Sequence, residues 1–423
     1  MFRSQFLRNT STLALGIFIA QIFNFAIYPI LGRIYTPEDF ALLANITSVC
    51  SILTVIATGK FEMSILLCKS ETDAKNVFAL CILSSVGILG ISALLFILIG
   101  SWISNLLKDP RLTSFLYVAI GMSMAIIIFN CYNEWCVRNQ QYKILAINKI
   151  NNSAAIAFSK LGSGFPYCIF NGLVWGDFIG RWISAIGCLI RLKHNHPDFI
   201  KELNISIIIK NAKRFIKFPL YILPGQLLNV FSTTLPIFLL TYYYGPSITG
   251  YYSMALSLLL LPVGIISNAI KDVLRQKIVT EIKKGNNCRI LISKLLILLF
   301  IICTSIAIII YPFLPDIFSI FAGSKWIEAG EYCQILLIMA VADFLAMSLN
   351  GVLLAAEKLK IIFIWQILFF LSTIIPLIIG GKNNITIHDT LLFFAICRSI
   401  GYLIYILLTY IYIPNSKVTN NEF

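Results

Sequence analysis

The sequence predicts an all-α, polytopic membrane protein of about 12 transmembrane helices in two six-helix halves. Three observations predict it. Of the 423 residues, 58% are hydrophobic and only 12% charged, with a mean hydropathy of +0.86, which leaves too little polar surface to cover soluble domains. Apolar windows of about 19 residues recur along the whole chain. The basic residues fall in the gaps between those windows, and mostly in alternate gaps.

The windows lie at 12–32, 40–59, 77–101, 113–133, 143–163, 166–190, 217–243, 249–270, 290–312, 331–354, 361–380 and 389–412. Each is near the ~20 residues that cross ~30 Å of hydrocarbon as a helix. The first follows Arg3 and Arg8 and is too long for a signal-peptide core, so it is read as a retained span. The fifth is the most polar. Asn148, Lys149, Asn151, Asn152, Ser153 and Lys160 dilute it, and such a helix is stable only against protein or a wet cavity. With the N-terminus placed in the cytoplasm, the inside gaps hold 25 Lys and Arg and the outside gaps 6, while Arg181 and Arg398 fall within spans. That bias predicts both termini on the cytoplasmic side.

The division into halves comes from a repeated element. Phe218 to Ile270 holds two apolar runs around a Tyr/Gly/Pro turn and contains no Lys, Arg, Asp or Glu. A weaker copy opens the chain: Gln21 and Asn24 match Gln226 and Asn229 at an offset of 205, and Tyr35-Thr36-Pro37 matches Tyr244-Gly245-Pro246 at 209. Each copy is read as a transmembrane helical hairpin opening one half, residues 1–212 and residues 213–423. The basic loop Arg191 to Lys217 separates them. Its middle, Phe199 to Phe215, reads equally as a segment along the lipid surface or as a solvated linker.

Several function classes are excluded or disfavoured. A net charge of +14 in a soluble protein would suggest nucleic acid, but here the cations sit in short loops that orient a membrane protein, so no nucleic-acid partner is expected. The eleven cysteines are scattered through apolar runs without a C-x-x-C pair and read as small buried hydrophobes. His194-Asn195-His196 lacks a third metal ligand nearby. No phosphate-binding loop, H-E-x-x-H or G-x-S-x-G occurs, and neither an enzyme nor a cofactor is expected. The acidic pair Glu38-Asp39 suggests a catalytic acid, but Thr36-Pro37-Glu38-Asp39 reads better as a capped helix start.

Polar groups at membrane depth are few and informative. Asp177 and Arg181 stand four apart in the sixth span, in the order that pairs well. Arg398 occupies the last span, and Asp343 is alone in the tenth. A charge there costs at least ~2.5–3.5 kcal/mol and faces the bundle interior or water. The reading is either a structural ion pair or a cationic cavity for an anionic group, with Asp177 or Asp343 as a cation or proton site. Gln21/Asn24 and Gln226/Asn229 put two amides on one face of their helices, bonding between helices or lining a polar cavity. Pro29, Pro219, Pro224, Pro236, Pro262 and Pro376 fall in spans and predict kinks and movement. Two halves of even span number share one orientation, and a site between them exposed by rocking is the expected arrangement.

The runs GRIYTPEDFALLANITSVCSILTVIATGKFEMSILL, FPLYILPGQLLNVFSTTLPIFLLTYYYGPSITGYYSMALSLLLLPVGIISNAI and FAGSKWIEAGEYCQILL resemble the polysaccharide exporters of the multidrug/oligosaccharidyl-lipid/polysaccharide (MOP) superfamily, most nearly the Wzx-type O-antigen flippases. The resemblance implies a V-shaped, MATE-like bundle in a bacterial inner membrane. It also implies transfer of an undecaprenyl-pyrophosphate-linked oligosaccharide between leaflets, driven by a proton or sodium ion gradient, beside membrane lipids and the polymerase and chain-length proteins of the same pathway. In that light Arg181 and Arg398 are the expected anion carriers. Lys60 with Glu62 (TGKFE) matches a basic–aromatic–acidic step of the family at the cytoplasmic end of the second helix. The competing readings are a MATE-type cation/drug antiporter using Asp177 and Asp343, a membrane glycosyltransferase or polymerase using Glu38-Asp39, and a non-transporting scaffold.

Overall fold

A computed structural model describes residues 2–164, 171–283, 288–355 and 358–413. Cys168, one of the eleven cysteines, and Lys284 and Lys417, counted among the inside cations, lie outside the described residues. The helices are α1 (Phe2–Ile34), α2 (Pro37–Thr58), α3 (Glu71–Leu106), α4 (Leu112–Arg138), α5 (Tyr142–Gly162), α6 (Gly172–Asn195), α7 (Ile205–Arg214), α8 (Leu223–Tyr244), α9 (Pro246–Lys283), α10 (Cys288–Ile310), α11 (Leu314–Ala322), α12 (Ile327–Ser348), α13 (Val352–Ala355), α14 (Leu359–Lys382) and α15 (Ile387–Tyr412). Eleven helical stretches are long and apolar enough to cross a membrane. The remaining predicted span is α5, whose 21 residues reach across at ~1.5 Å each but are too polar to face lipid. It packs along α1 and α6 instead, which resolves the polarity: Asn148 and Ser153 are buried in protein.

Local sequence sets the helix starts. Thr36 accepts from the Asp39 amide while the Asp39 carboxylate accepts from the Thr36 amide at 3.1 Å, a capping box with Pro37 in the first turn. Ser70 and Thr386 cap α3 and α15, their hydroxyls accepting from the Asp73 and Asp389 amides. The capping reading of Glu38-Asp39 therefore holds. The prolines act less drastically than the sequence suggests: α1, α8, α9 and α14 run on through Pro29, Pro236, Pro262 and Pro376. Only Pro219, in a π turn at Phe218–Ile222, and Pro224, in the first turn of α8, mark a change of helix.

By packing, the chain forms two compact units, Met1–Gly250 and Tyr251–Phe423. In the first unit, α1 packs on α5, while α2 packs on α4 and α8. The repeated segments are thus helix–turn–helix connections whose arms find their main partners elsewhere. The association of α8 with α2 carries the packing boundary past the loop at Arg191–Lys217. That loop is neither bare linker nor detached: α7 docks on α3. Phe199, Ile208 and Phe215 are buried in a core with Trp135, and Lys75 pairs with Glu202 at 3.0 Å.

A close helix contact joins α5 and α6. A Cβ on Gly176 would lie 2.5 Å from the Lys160 backbone, and one on Gly180 would lie 2.4 Å from that of Ile156. The run Gly176-Asp-Phe-Ile-Gly180 is a small-xxx-small face, which lets two backbones meet. Gly180→Leu is expected to destabilise the protein by about 1–3 kcal/mol through overpacking. Gly187→Ala, where a Cβ meets nothing within 4 Å, should leave the unfolding temperature in detergent unchanged. Equal melting of the two variants would refute this packing.

Candidate functional site

In the first unit the α5–α6 contact builds an intramembrane charge cluster. Asp177 is 1% exposed and is held between Arg181 Nε at 2.5 Å and Lys160 Nζ at 2.8 Å. The predicted Asp177–Arg181 pair is present, but Lys160, which lies near the end of the fifth span and was counted with the outer gap after it, completes it. One carboxylate between two cations leaves a net positive charge inside a span. The end of α5 is fixed by Tyr35, whose hydroxyl donates to the Lys160 carbonyl at 2.8 Å. Burial, with Asp39 nearby, pushes that hydroxyl up to about 12, so it remains a donor.

Arg111 organises the outer end of this unit. It donates to both Asp109 oxygens at 2.9 Å, to Asp39 at 3.2 Å and to the Asn171 side-chain amide oxygen at 3.0 Å. Burial works against its charge, yet Asp109 and Asp39 outweigh that and raise its pKa above the ordinary value. Glu38 accepts from Ser247. Both acids of the Glu38-Asp39 pair are thus committed to structure.

At the opposite end of α2, Gly59 and Lys60 both take left-handed backbone angles, φ 55° and 62°, turning the chain into a short 3-10 helix, Phe61–Leu67. The turn brings Lys60 Nζ to 3.3 Å from buried Glu62. Glu134 of α4 lies within electrostatic reach of both, and of Lys149 on α5. Sequence reasoning singled out Lys60 and Glu62 but missed Glu134 and Lys149, because the four are joined only by packing of three separate helices.

In the second unit Arg398 is 6% exposed and pairs with no carboxylate among the described residues. It lies over Phe369, Phe394 and Tyr402 at 5.1, 5.6 and 5.9 Å from the ring centroids. Among the described residues its one hydrogen bond is to the Tyr402 hydroxyl, at 3.4 Å, and Nε has no partner. Each such cation–π contact contributes ~0.5–2 kcal/mol, more where water is excluded. Asp343, solitary in the sequence, faces this group: Tyr402 is within hydrogen-bonding reach of its carboxylate and Arg398 within electrostatic reach.

The amides of the repeated segment differ between copies. Asn24 donates to Gln21 at 3.5 Å, both half-buried. Gln226 is half-buried and Asn229 exposed, and neither side chain has a hydrogen-bond partner among the described residues. His196 of the pair with His194 contacts Glu71 at 3.2 Å and the Trp135 ring. Among the described residues no cluster of three metal-ligating side chains occurs.

Residues 30–331 match the family model described as polysaccharide biosynthesis protein. The chain belongs to this family. Comparison with curated protein sequences gives no match. Among solved structures, the chain is similar to the lipid II flippase MurJ in an inward closed conformation (TM-score 0.73, 16% identity, 94% of this chain and 86% of that one). It is also similar to an inward-facing multidrug resistance MATE family transporter of the MOP superfamily (0.66, 12%, 93% and 93%). A MOP superfamily transporter from Pyrococcus furiosus gives 0.64 at 12% identity, covering 96% and 95%. This polysaccharide biosynthesis family member therefore has the helical fold of MOP transporters and is a multi-pass membrane protein.

The cluster at Asp177 predicts an order of damage. Asp177→Asn leaves Lys160 and Arg181 facing each other and should cost about 3–5 kcal/mol, the penalty for breaking a buried pair. Lys160→Met or Arg181→Met leaves the carboxylate one partner and should cost less. Thermal unfolding of the purified variants checks the order; a milder Asp177→Asn would contradict it.

Proposed function

We propose that this protein moves an undecaprenyl-pyrophosphate-linked oligosaccharide, an O-antigen or other surface-polysaccharide repeat unit, between leaflets of the bacterial inner membrane by alternating access. Its function is translocation, not catalysis. The observation that carries the reading is the net positive cluster Lys160–Asp177–Arg181 within the spans of a MOP fold, in a chain of the polysaccharide biosynthesis family. A phosphate-bearing head group needs cations at membrane depth, and arginine meets phosphoryl oxygens with paired hydrogen bonds. Arg398, with its unpaired Nε, is the second carrier, and Lys60 meets the head group at the cytoplasmic end.

The open amides support the same reading. Gln226 and Asn229 at membrane depth call for water or a ligand rather than hydrocarbon, as do Gln21 and Asn24 in the other copy. Asp343, beside Arg398 and Tyr402, is the coupling-ion residue of choice, for a proton or sodium ion. Asp177, already neutralised by two cations, is better suited to a fixed counter-ion, and Glu62 to a partner of Lys60. Both termini face the cytoplasm, as the distribution of basic residues requires. The duplicate halves, 1–212 and 213–423, are the two repeats of the transporter. The drug/cation antiporter reading is weakened by the excess of cations over carboxylates around Asp177.

The test is reconstitution into vesicles with a fluorescent undecaprenyl-pyrophosphate saccharide. Exposure to an impermeant quencher is followed with and without a proton or sodium gradient. Gradient-stimulated exposure is expected, falling at least tenfold in Arg181→Ala and Arg398→Ala. Exchange of a cationic dye with no movement of the glycan lipid would replace this reading with the antiporter.

A further inference from the structure

A pocket with a largely apolar wall and a few polar groups lies between α5 and α6, away from Asp177. It encloses about 330 Å³ and is lined by Asn148, Asn151, Ser184, Cys188 and Arg191 among others, within the ~300–1,000 Å³ range of small-molecule sites. Asn148 is 3% exposed. Its side-chain oxygen accepts from the Arg191 guanidinium. Arginine has no acceptor, so the amide cannot be turned round, and the Asn148 Nδ2 group is left a buried donor with no partner. Arg191 itself pairs with no carboxylate among the described residues, and the groups that sense its charge are Tyr132, Cys136 and Cys188, all neutral. The Ser184 hydroxyl is committed to the Gly180 carbonyl at 3.0 Å.

A partly buried cation without an acid, beside an orphaned donor in a pocket whose other walls are mostly apolar, lacks one thing: an anion rich in acceptors. The geometry points to a phosphoryl-anion site on Asn148 and Arg191, at the end of α5 and α6 that the distribution of basic residues assigns to the cytoplasm. Its ligand is the diphosphate of a polyprenyl lipid as it enters from the cytoplasmic leaflet. This assignment of ligand rests on the transport reading above, whereas the anion site itself does not. The site differs from the Asp177 cluster in that no carboxylate competes for its cation.

The experiment measures equilibrium binding of radiolabelled farnesyl diphosphate to the full chain in phosphatidylcholine nanodiscs, with competition by farnesol, inorganic pyrophosphate and phosphatidylglycerol. Saturable binding is expected, weakened at least tenfold in Arg191→Gln and in Asn148→Asp and unaffected by farnesol. Asn148→Asp supplies the missing carboxylate to Arg191, so its unfolding temperature should be maintained or raised while binding is lost, which separates loss of the site from loss of the fold. Unchanged binding in both variants, or no binding to the parent, overturns the site. Competition by pyrophosphate as strong as by unlabelled farnesyl diphosphate, or by phosphatidylglycerol at equal concentration, supports the anion site and overturns the polyprenyl assignment. If binding responds to both variants while no glycan lipid is flipped, the site stands and the transport reading falls. If flipping depends on Arg181 but binding ignores Arg191 and Asn148, the reverse holds.

Discussion

The approach of α5 to α6 is the contact on which the first unit's polar chemistry depends. Without a Cβ at Gly176 and Gly180 the two backbones come close enough for the carbonyl side of one helix to meet the other. In the resulting antiparallel register, each turn up α6 is matched by a turn down α5. Gly176 meets Lys160, Gly180 meets Ile156, and Arg191 meets Asn148. One register therefore sets two polar groups about four turns of helix apart. The polarity that makes α5 a poor membrane span is what makes it useful as a lining. A helix rich in Asn and Lys is inserted because its neighbours, α1 and α6, shield it from hydrocarbon.

What could be read from sequence follows from the range of the interactions involved. The capping box at Thr36–Asp39 spans four residues, and the Asp177–Arg181 pair one turn, so both were legible. The spans were legible because hydropathy is a property of each segment alone. Lys160 was not, since its partner lies across an inter-helix connection and its own neighbours suggested only a loop end. The G-x-x-x-G spacing at Gly176 and Gly180 was the available signal for that contact. Asp343 looked solitary for the same reason: Tyr402 and Arg398 reach it from α15, far along the chain. The docking of the Arg191–Lys217 loop on α3 was hidden because its lysines resemble a solvated linker. Its buried Phe199, Ile208 and Phe215 are spaced irregularly until α7 is formed.

The duplication has a different standing from the packing. Matching Gln/Asn and Tyr/Pro marks relate the segment opening the chain to the one beginning at Phe218, yet packing places α8 with α2 in the first unit. These are compatible. A repeat records sequence correspondence, whereas a compact unit records which faces are in contact, and a helix at the start of the second repeat is free to pack on the first. The side chains at matched places have also diverged in role. Pro37 follows a capping threonine and precedes two acids tied to Arg111 and Ser247, while Pro246 follows Gly245 at φ 94° with no acids after it.

Three arginines, two within spans and one at the end of α6, show three ways of holding a cation, and they differ in what they leave for a ligand. Arg181 is bound by a carboxylate, so an incoming anion must compete with Asp177 and gains mainly from the surplus charge of Lys160. Arg398 is held by aromatic faces, which stabilise the charge without consuming its N–H donors, and one of those donors is unpartnered. Arg191 is held by an amide oxygen alone, which takes one donor and leaves the charge uncompensated. Desolvation makes an uncompensated charge costly, and a ligand that removes that cost binds through it. By this criterion Arg398 and Arg191 keep more of their donors free, while Arg181 both locks the helices together and shares with Lys160 the surplus charge of the cluster.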